Sequence, residues 1–488
     1  MNMGGWLRIP PRIPPYPGGR CGCRKSRRAR LAGVSWLRRL SPTAPRKPRA
    51  LRAPVLGAVA LLLVLLGDSA RSEAEEPMDE EQVADSPYPA AFRERVSAAI
   101  DLGVRWLKRA QRGDGTWKGV HDRGYPMGGT ALATLTLLKC GVKPDDPAVT
   151  SAFAFLRTQP LVRTYEVGVL LMAIAARYAP AHETFAPEDT DRYGGAAKTK
   201  DPCQLGISKE DLDWMKRGVA FLLEQQNADG VWRYPEGGTD LSNTQYALLG
   251  LQAANRCGAL VPPKVWVAAL EFLIKGQETY GRPCLYKGNE VRGRYRMQWS
   301  EPALARGWRY IPGQRSSPIS GSMTTAGLAG LIICQSELWG SRRFTGELRQ
   351  QARRGIRDAM AWLQQHYDVT ANPIEREPNA PADSGEAQPF GSADIWYLYY
   401  MYGLERCGIL GRFRFLGPKD WYEEGAGALL RLQMPQGTFG PLHDTCFALL
   451  FLKRATSRYA TPVITPSDDR MPVAPAPAGP AGPAAPAK

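Results

Sequence analysis

One pattern recurs along most of this chain and restricts what it can fold into. An amphipathic segment, with its charged face at helical spacing, ends near a Gln. It passes through a Gly-containing turn and reaches an aromatic residue. A second segment follows, apolar nearly all round until its last turn. VSAAIDLGVRWLKRAQRGDGTW at 96–117 and DLDWMKRGVAFLLEQQNADGVW at 211–232 are the clearest copies. GAGALLRLQMPQGTFG at 425–440 carries Phe439 in the aromatic slot. VWVAALEFLIKGQ at 265–277 and IRDAMAWLQQHY at 356–367 match the helix and lose the turn, and VTSAFAFLRTQP at 149–160 is a shortened form. The apolar partners run at 129–141, 165–178, 243–258, 323–335, 393–408 and 444–455. A repeating unit of this kind cannot bury its apolar face alone, so the units must stack. A helix that is apolar on every side is a buried helix. Six buried helices inside six amphipathic ones predict an all-α fold, an (α/α)6 toroid with the amphipathic helices outside. Alternating β-branched runs are nearly absent.

Charge and composition divide the rest of the chain. Residues 1–54 hold 14 Lys and Arg and no acid, which leaves +2 of the net charge of +16 for residues 55–488. The folded part is nearly neutral, so nucleic-acid binding is not expected of it. VLGAVALLLVLLG at 55–67 is shorter than a spanning helix and precedes small residues near Ala74. That is the pattern of an export signal, or of an anchor bringing the protein to a membrane. The expected domains are a basic leader at 1–54, a signal region at 55–74 and a linker at 75–92. The toroid then occupies 93–460, and a Pro/Ala-rich disordered tail 461–488. The protein is expected to be exported. Cys140, Cys257 and Cys407 each stand in a Lys/Arg-Cys-Gly triplet and read as small buried residues near a helix end. No disulfide pairing is visible.

The Gln-x-x-Asp-Gly-x-Trp turns, Gln111/Asp114/Gly115/Trp117 and Gln226/Asp229/Gly230/Trp232, resemble the QW repeats of squalene-hopene and other terpene cyclases. Those enzymes share the (α/α)6 barrel with protein prenyltransferase β subunits. The resemblance covers about residues 93–456 and is closest to exported bacterial proteins with squalene-cyclase-type repeats. It implies a central cavity for a polyprenyl or triterpenoid-type lipid. It also implies an Asp-x-Asp-Asp acid, which this sequence lacks. The nearest match is Pro441-Leu442-His443-Asp444-Thr445, where Asp444 beside His443 is the candidate acid–base pair. The prenyltransferase zinc pattern is met only by Asp444-Thr445-Cys446, with no later His. No metal and no cofactor is therefore expected.

In a toroid the inner helices start at one rim, where caps and anions are favoured. Candidate binding residues at those starts are Glu166, Asp240, Tyr246, Asp394, Trp396 and Tyr397, with Ser242, Ser322 and Ser392 read as caps. Trp308 joins them from a long basic, aromatic insertion at 278–320, whose Arg292, Arg294, Arg296, Arg306 and Arg309 suit an acidic glycan or a lipid headgroup. The aromatic run from Trp396 to Tyr402 suits a lipid, a carbocation or a sugar ring. The leading expectation is a lipid-binding toroid of terpenoid-cyclase type. The alternatives are a noncatalytic binding or scaffold toroid, and a carbohydrate-active one with paired carboxylates such as Asp240 and Asp394.

Overall fold

The computed structural model describes residues 88–118, 125, 127–179, 206–234, 240–292, 295–314, 317–375, 396–411 and 413–453. The leader, the signal region, most of the linker, residues 180–205, the tail, Ser392 and Asp394 lie outside these residues. Within them the chain forms twelve α-helices. The amphipathic ones are α1 (Ala90–Ala110), α3 (Pro147–Thr158), α5 (Lys209–Gln225), α7 (Pro263–Gly276), α9 (Gly346–Gln365) and α11 (Trp421–Leu432). The apolar ones are α2 (Gly128–Lys139), α4 (Thr164–Tyr178), α6 (Leu241–Arg256), α8 (Gly321–Glu337), α10 (Tyr397–Leu410) and α12 (Leu442–Leu452).

The apolar helices form a closed ring. Each packs on the next, from α2 through α4, α6, α8 and α10 to α12, and α12 packs back on α2. The amphipathic helices lie outside and pack against this ring. The fold is the (α/α)6 toroid that the alternation predicts. Inner helices are buried all round: in α2 every residue from Thr130 to Leu138 is buried. Glycine sets the closest approach. A Cβ on Gly250 of α6 would meet the Cα of Gly168 of α4 at 2.6 Å, so the two backbones touch directly.

The Gln-to-aromatic turns are the stitches of the outer ring. Gln111 at the end of α1 donates its amide to the Gly115 carbonyl (3.0 Å) in its own turn and to the Ala148 carbonyl (2.8 Å) of α3. Gln226 repeats this with Gly230 (3.0 Å) and Val265 of α7 (3.1 Å). Gln433 does so with Gly437 (3.2 Å) and Ala99 of α1 (2.8 Å), which joins the last outer helix to the first. The turn between Gln and aromatic needs a residue in left-handed backbone, supplied by Gly115 (φ 83°), Gly230 (φ 85°) and Gly437 (φ 101°). The Trp then points back. The indole N–H of Trp117 donates to the Leu107 carbonyl and that of Trp232 to the Leu222 carbonyl, both at 2.7 Å. Both carbonyls lie in the last turn of their helix, and that of Leu222 also accepts the Gln226 N–H at 3.1 Å.

Several expectations need correction. The 265–277 segment does keep its turn. Gln277 donates to Arg306 (3.0 Å) and to Gly355 of α9 (2.9 Å), and Trp308 donates to Leu273 (3.0 Å). A hairpin has been inserted between the Gln and its Trp. Strands β1 (Arg282–Arg292) and β2 (Tyr295–Ala305) pair antiparallel there, where the sequence suggested a long loop. Trp308 is fully buried as the aromatic of this repeat, which is why it does not reach the central site. Two arginines of the insertion are engaged within the fold. Arg306 grips buried Asp358 of α9 (2.6 Å and 2.9 Å), and Arg309, itself buried, pairs with Glu278 (2.7 Å). Nothing is described of the side chains of Arg292, Arg294 and Arg296. Finally, the caps of α6 and α8 are Asp240 and Ser320, two residues before the serines that the sequence nominated. Ser242 instead donates to Asp240 (2.6 Å) and Ser322 lies beside Ser320 (3.2 Å).

Gln159 provides a control, because it follows α3 in the same position but reaches only Thr158, at 2.8 Å on the surface. Gln226→Leu leaves two carbonyls without their amide partner and is expected to cost about 2–3 kcal/mol. Gln159→Leu is expected to cost less than about 0.5 kcal/mol. Urea unfolding of both variants measures the difference.

Candidate functional site

The first two turns of the inner helices bring an aromatic cluster into the ring. Tyr165 of α4 meets Tyr246 of α6 edge-on at 4.7 Å, and Tyr246 stacks on Tyr399 of α10 at 6.1 Å. Tyr399 lies 5.7 Å from Phe447 of α12, and Tyr402 of α10 stacks on Phe447 at 5.2 Å. Because α6 and α10 are not neighbours in the ring, the Tyr246–Tyr399 contact crosses its interior. Tyr246, Tyr399, Tyr402 and Phe447 are all buried. Burial drives the hydroxyl acidities of Tyr246 and Tyr399 far below their ordinary strength, so both remain neutral phenols.

Polar groups around these rings are only partly satisfied. Tyr399 donates to the Gln245 carbonyl oxygen. The Tyr246 hydroxyl, the Gln245 amide nitrogen, the Asn243 amide nitrogen and the Thr130 hydroxyl are buried without a hydrogen-bond partner. Such groups are uncommon in folded proteins and accept a partner where one can reach them.

The acidic candidates divide into two kinds. Glu166, buried in the first turn of α4, accepts the Met127 and Gly128 N–H groups at 2.8 Å each. Helix α2 has no side-chain cap of its own, so Glu166 caps it from the neighbouring helix. Burial pushes its carboxyl up, against the lowering effect of the two N–H donors. Asp240 caps α6 through Asn243 N–H (2.9 Å) and also accepts Ser242 (2.6 Å) and Tyr310 (2.5 Å). Its charge adds to burial in holding the Tyr234 hydroxyl up at about 12. Asp444 is different. Its side chain is 31% exposed and the nearest cation is His443, at 3.6 Å. Among the described residues it accepts no hydrogen bond. Burial raises its carboxyl and the His443 charge lowers it, with burial the larger effect.

The remaining candidates fall at the margin. Trp396 does not lie within α10 as the sequence suggested. It precedes the helix in left-handed backbone (φ 65°), the one non-glycine to do so among the described residues, and is exposed. It still reaches Tyr399 edge-on at 6.3 Å. Tyr397 turns away from the cluster, its hydroxyl donating to the Val369 carbonyl at 2.6 Å. Cys446 is fully buried, and burial pushes its thiol up to about 12 against the lowering effect of a hydrogen bond with Thr136. Among the described residues no three His, Cys, Asp or Glu stand close enough to hold a metal ion. Reading along the chain could not pair Tyr310 with Asp240, or Gln245 with Tyr399, since their separations are 70 and 154 residues.

No protein-family model matches the chain, and no curated protein matches it. Among solved structures it is similar to a type II terpene cyclase from Scytonema, a variant in complex with its product merosterolic acid A. That likeness has 12% identity and a TM-score of 0.39, and covers 75% of this chain and 99% of the other. The ring described above rests on this chain's own helix packing.

Asp444 allows a pH test. A carboxyl raised in the folded state favours folding where it is protonated and opposes it once ionised. Asp444→Asn is therefore expected to raise the urea midpoint at pH 7. The gain should vanish as the pH falls through the acid range, below the ordinary carboxylate value. A gain of equal size at pH 3 and pH 7 would exclude titration of Asp444 as its origin.

Proposed function

We propose that this chain is a terpenoid-cyclase-like toroid that binds an apolar polyprenyl or triterpenoid-type molecule at the amino-terminal end of its inner ring. The observation that carries this reading is the aromatic cluster of Tyr165, Tyr246, Tyr399, Tyr402 and Phe447 across the ring interior. Aromatic faces hold apolar chains and rings through large contact area. The unpartnered Tyr246 hydroxyl and Gln245 amide would orient a polar end of the ligand. Cyclase-type protonation is not part of the main reading. It needs a carboxylic acid supported by neighbouring carboxyls and aimed at the ligand. Glu166 and Asp240 are occupied as helix caps.

A second reading is catalytic, and one observation favours it. Asp444 combines a raised carboxyl with freedom from capping duties and a neighbouring imidazole. In this reading Asp444 donates a proton and His443 restores it. Export is also proposed. Cys257 is disulfide-bonded, contrary to its expected role as a plain buried thiol, and its partner lies outside the described residues. A structural disulfide suits an oxidising compartment. Among the described residues no helix is long and apolar enough to cross a membrane.

Native mass spectrometry of the purified protein, followed by lipid extraction, tests the proposal. A polyprenyl or triterpenoid species at near one per chain is expected, with occupancy reduced at least tenfold in Tyr246→Ala. Under the main reading Asp444→Ala leaves the extracted species chemically unchanged. A different species bound to Asp444→Ala selects the catalytic reading. An empty protein under all conditions rejects both.

A further inference from the structure

The opposite end of the ring holds a cavity that the aromatic cluster does not line except through Tyr402. It has a volume of about 90 Å³ and is lined by the last turns of α2, α4, α6 and α10 together with Leu450 of α12. Its construction follows one rule on three helices. Leu135, Gln252 and Tyr402 line the inner part, and Lys139, Arg256 and Arg406, each one turn further along its helix, line the outer part. Four residues along a helix place side chains on one face about 6 Å apart. Among the described residues the lining contains these three cations and no carboxylate, and each cation also has a partner within the protein. Met172, Leu249 and Leu450 supply apolar wall.

Cations in the last turn of a helix complement its dipole, and that accounts for a basic residue on each helix separately. It does not account for their convergence on one cavity. Nor does it account for Gln252, which is only 5% exposed and has an amide nitrogen without a hydrogen-bond partner. A donor left bare inside a cavity marks a place for an acceptor. The cations have duties within the fold as well: Arg406 binds buried Glu405 at 2.6 Å and 2.7 Å. That pairing fixes the guanidinium in position at the cavity wall.

We propose that this cavity binds the anionic head and first carbons of an amphiphile. The anion is a carboxylate or phosphate held among Lys139, Arg256 and Arg406. The apolar carbons reach toward Leu135 and Met172, and an ester or hydroxyl oxygen near the head accepts from Gln252. The site is distinct from the aromatic cluster, because Tyr402 stands between them, lining this cavity and stacking on Phe447.

The test is isothermal titration calorimetry on the full chain with octanoate and octyl phosphate below their micellar concentrations. Octanol and inorganic phosphate serve as controls. The expected result is one site per chain for at least one of the two anions, at least tenfold tighter than either control. The preferred anion identifies the headgroup chemistry. The double variant Lys139→Gln/Arg256→Gln should weaken binding at least tenfold while keeping the wild-type melting temperature. If that variant fails to fold, Ala253→Met, which fills the cavity without touching a charge, should abolish binding in its place. Three results overturn the proposal: no saturable binding of either anion, a control that binds as tightly, or undiminished binding in the folded variants.

Discussion

The glutamine amide at the end of an outer helix is the interaction on which this architecture depends. The inner helices are apolar on all sides, and apolar packing alone specifies neither register nor neighbour. Direction has to come from polar contacts. Gln111, Gln226, Gln277 and Gln433 supply it, each reaching from its own turn to a carbonyl on the next outer helix. A carbonyl has two lone pairs, so it can accept this amide without giving up its helical partner. Gln433 is the bridge that joins α11 to α1 and so closes the outer ring. Among the described residues no such bridge joins α3 to α5 or α9 to α11, and between α3 and α5 a charged contact stands in its place. Arg157 of α3 pairs with buried Asp211 of α5 and lies over Trp214 at 4.6 Å.

The same economy of polar groups limits the chemistry available at the centre. Closely packed inner helices leave little room for separate capping residues, and α2 is capped by a side chain of α4. A carboxylate oxygen that accepts a helix N–H is held in place as part of that helix end. Glu166 and Asp240 are thereby committed to structure. Asp444 escapes because α12 has no side-chain cap at all, its N-cap position being Pro441. Any acid catalysis by this ring has to pass through that one position or through residues outside those described.

The sequence exposed the fold and hid the site for the same physical reason. Helix period, apolar faces and the Gly turn are local, so two clear repeats were enough to predict the double ring. The repeat at Gln277 is hidden in the sequence because the hairpin at 282–305 separates Gln277 from Trp308. For the same reason Trp308 looked like a binding residue of the insertion rather than part of a repeat. The site is assembled from residues far apart in the chain. Tyr246 and Tyr399 were visible as aromatic residues at inner-helix starts, but their stacking across the ring has no sequence signature. Trp396 shows a finer failure. Its apolar neighbours continue a helical pattern, yet its left-handed backbone excludes it from the helix.

The placement of charge follows from the ring itself. Six inner helices run in the same direction, so their dipoles add: one face of the toroid gathers N–H ends and the other carbonyl ends. Glu166, Asp240 and Asp444 lie on the first face with Arg163 among them, and Lys139, Arg256 and Arg406 on the second with Glu337 at the end of α8. The aromatic cluster lies between, with Tyr402 at its boundary. A through-channel would need these rings to part, which would expose apolar surface and break the Tyr399–Gln245 bond. A closed centre makes the two faces independent in what they attract. An anionic head at the second face would meet Lys139, Arg256 and Arg406. A neutral apolar ligand has no such partners and is placed by aromatic contact alone.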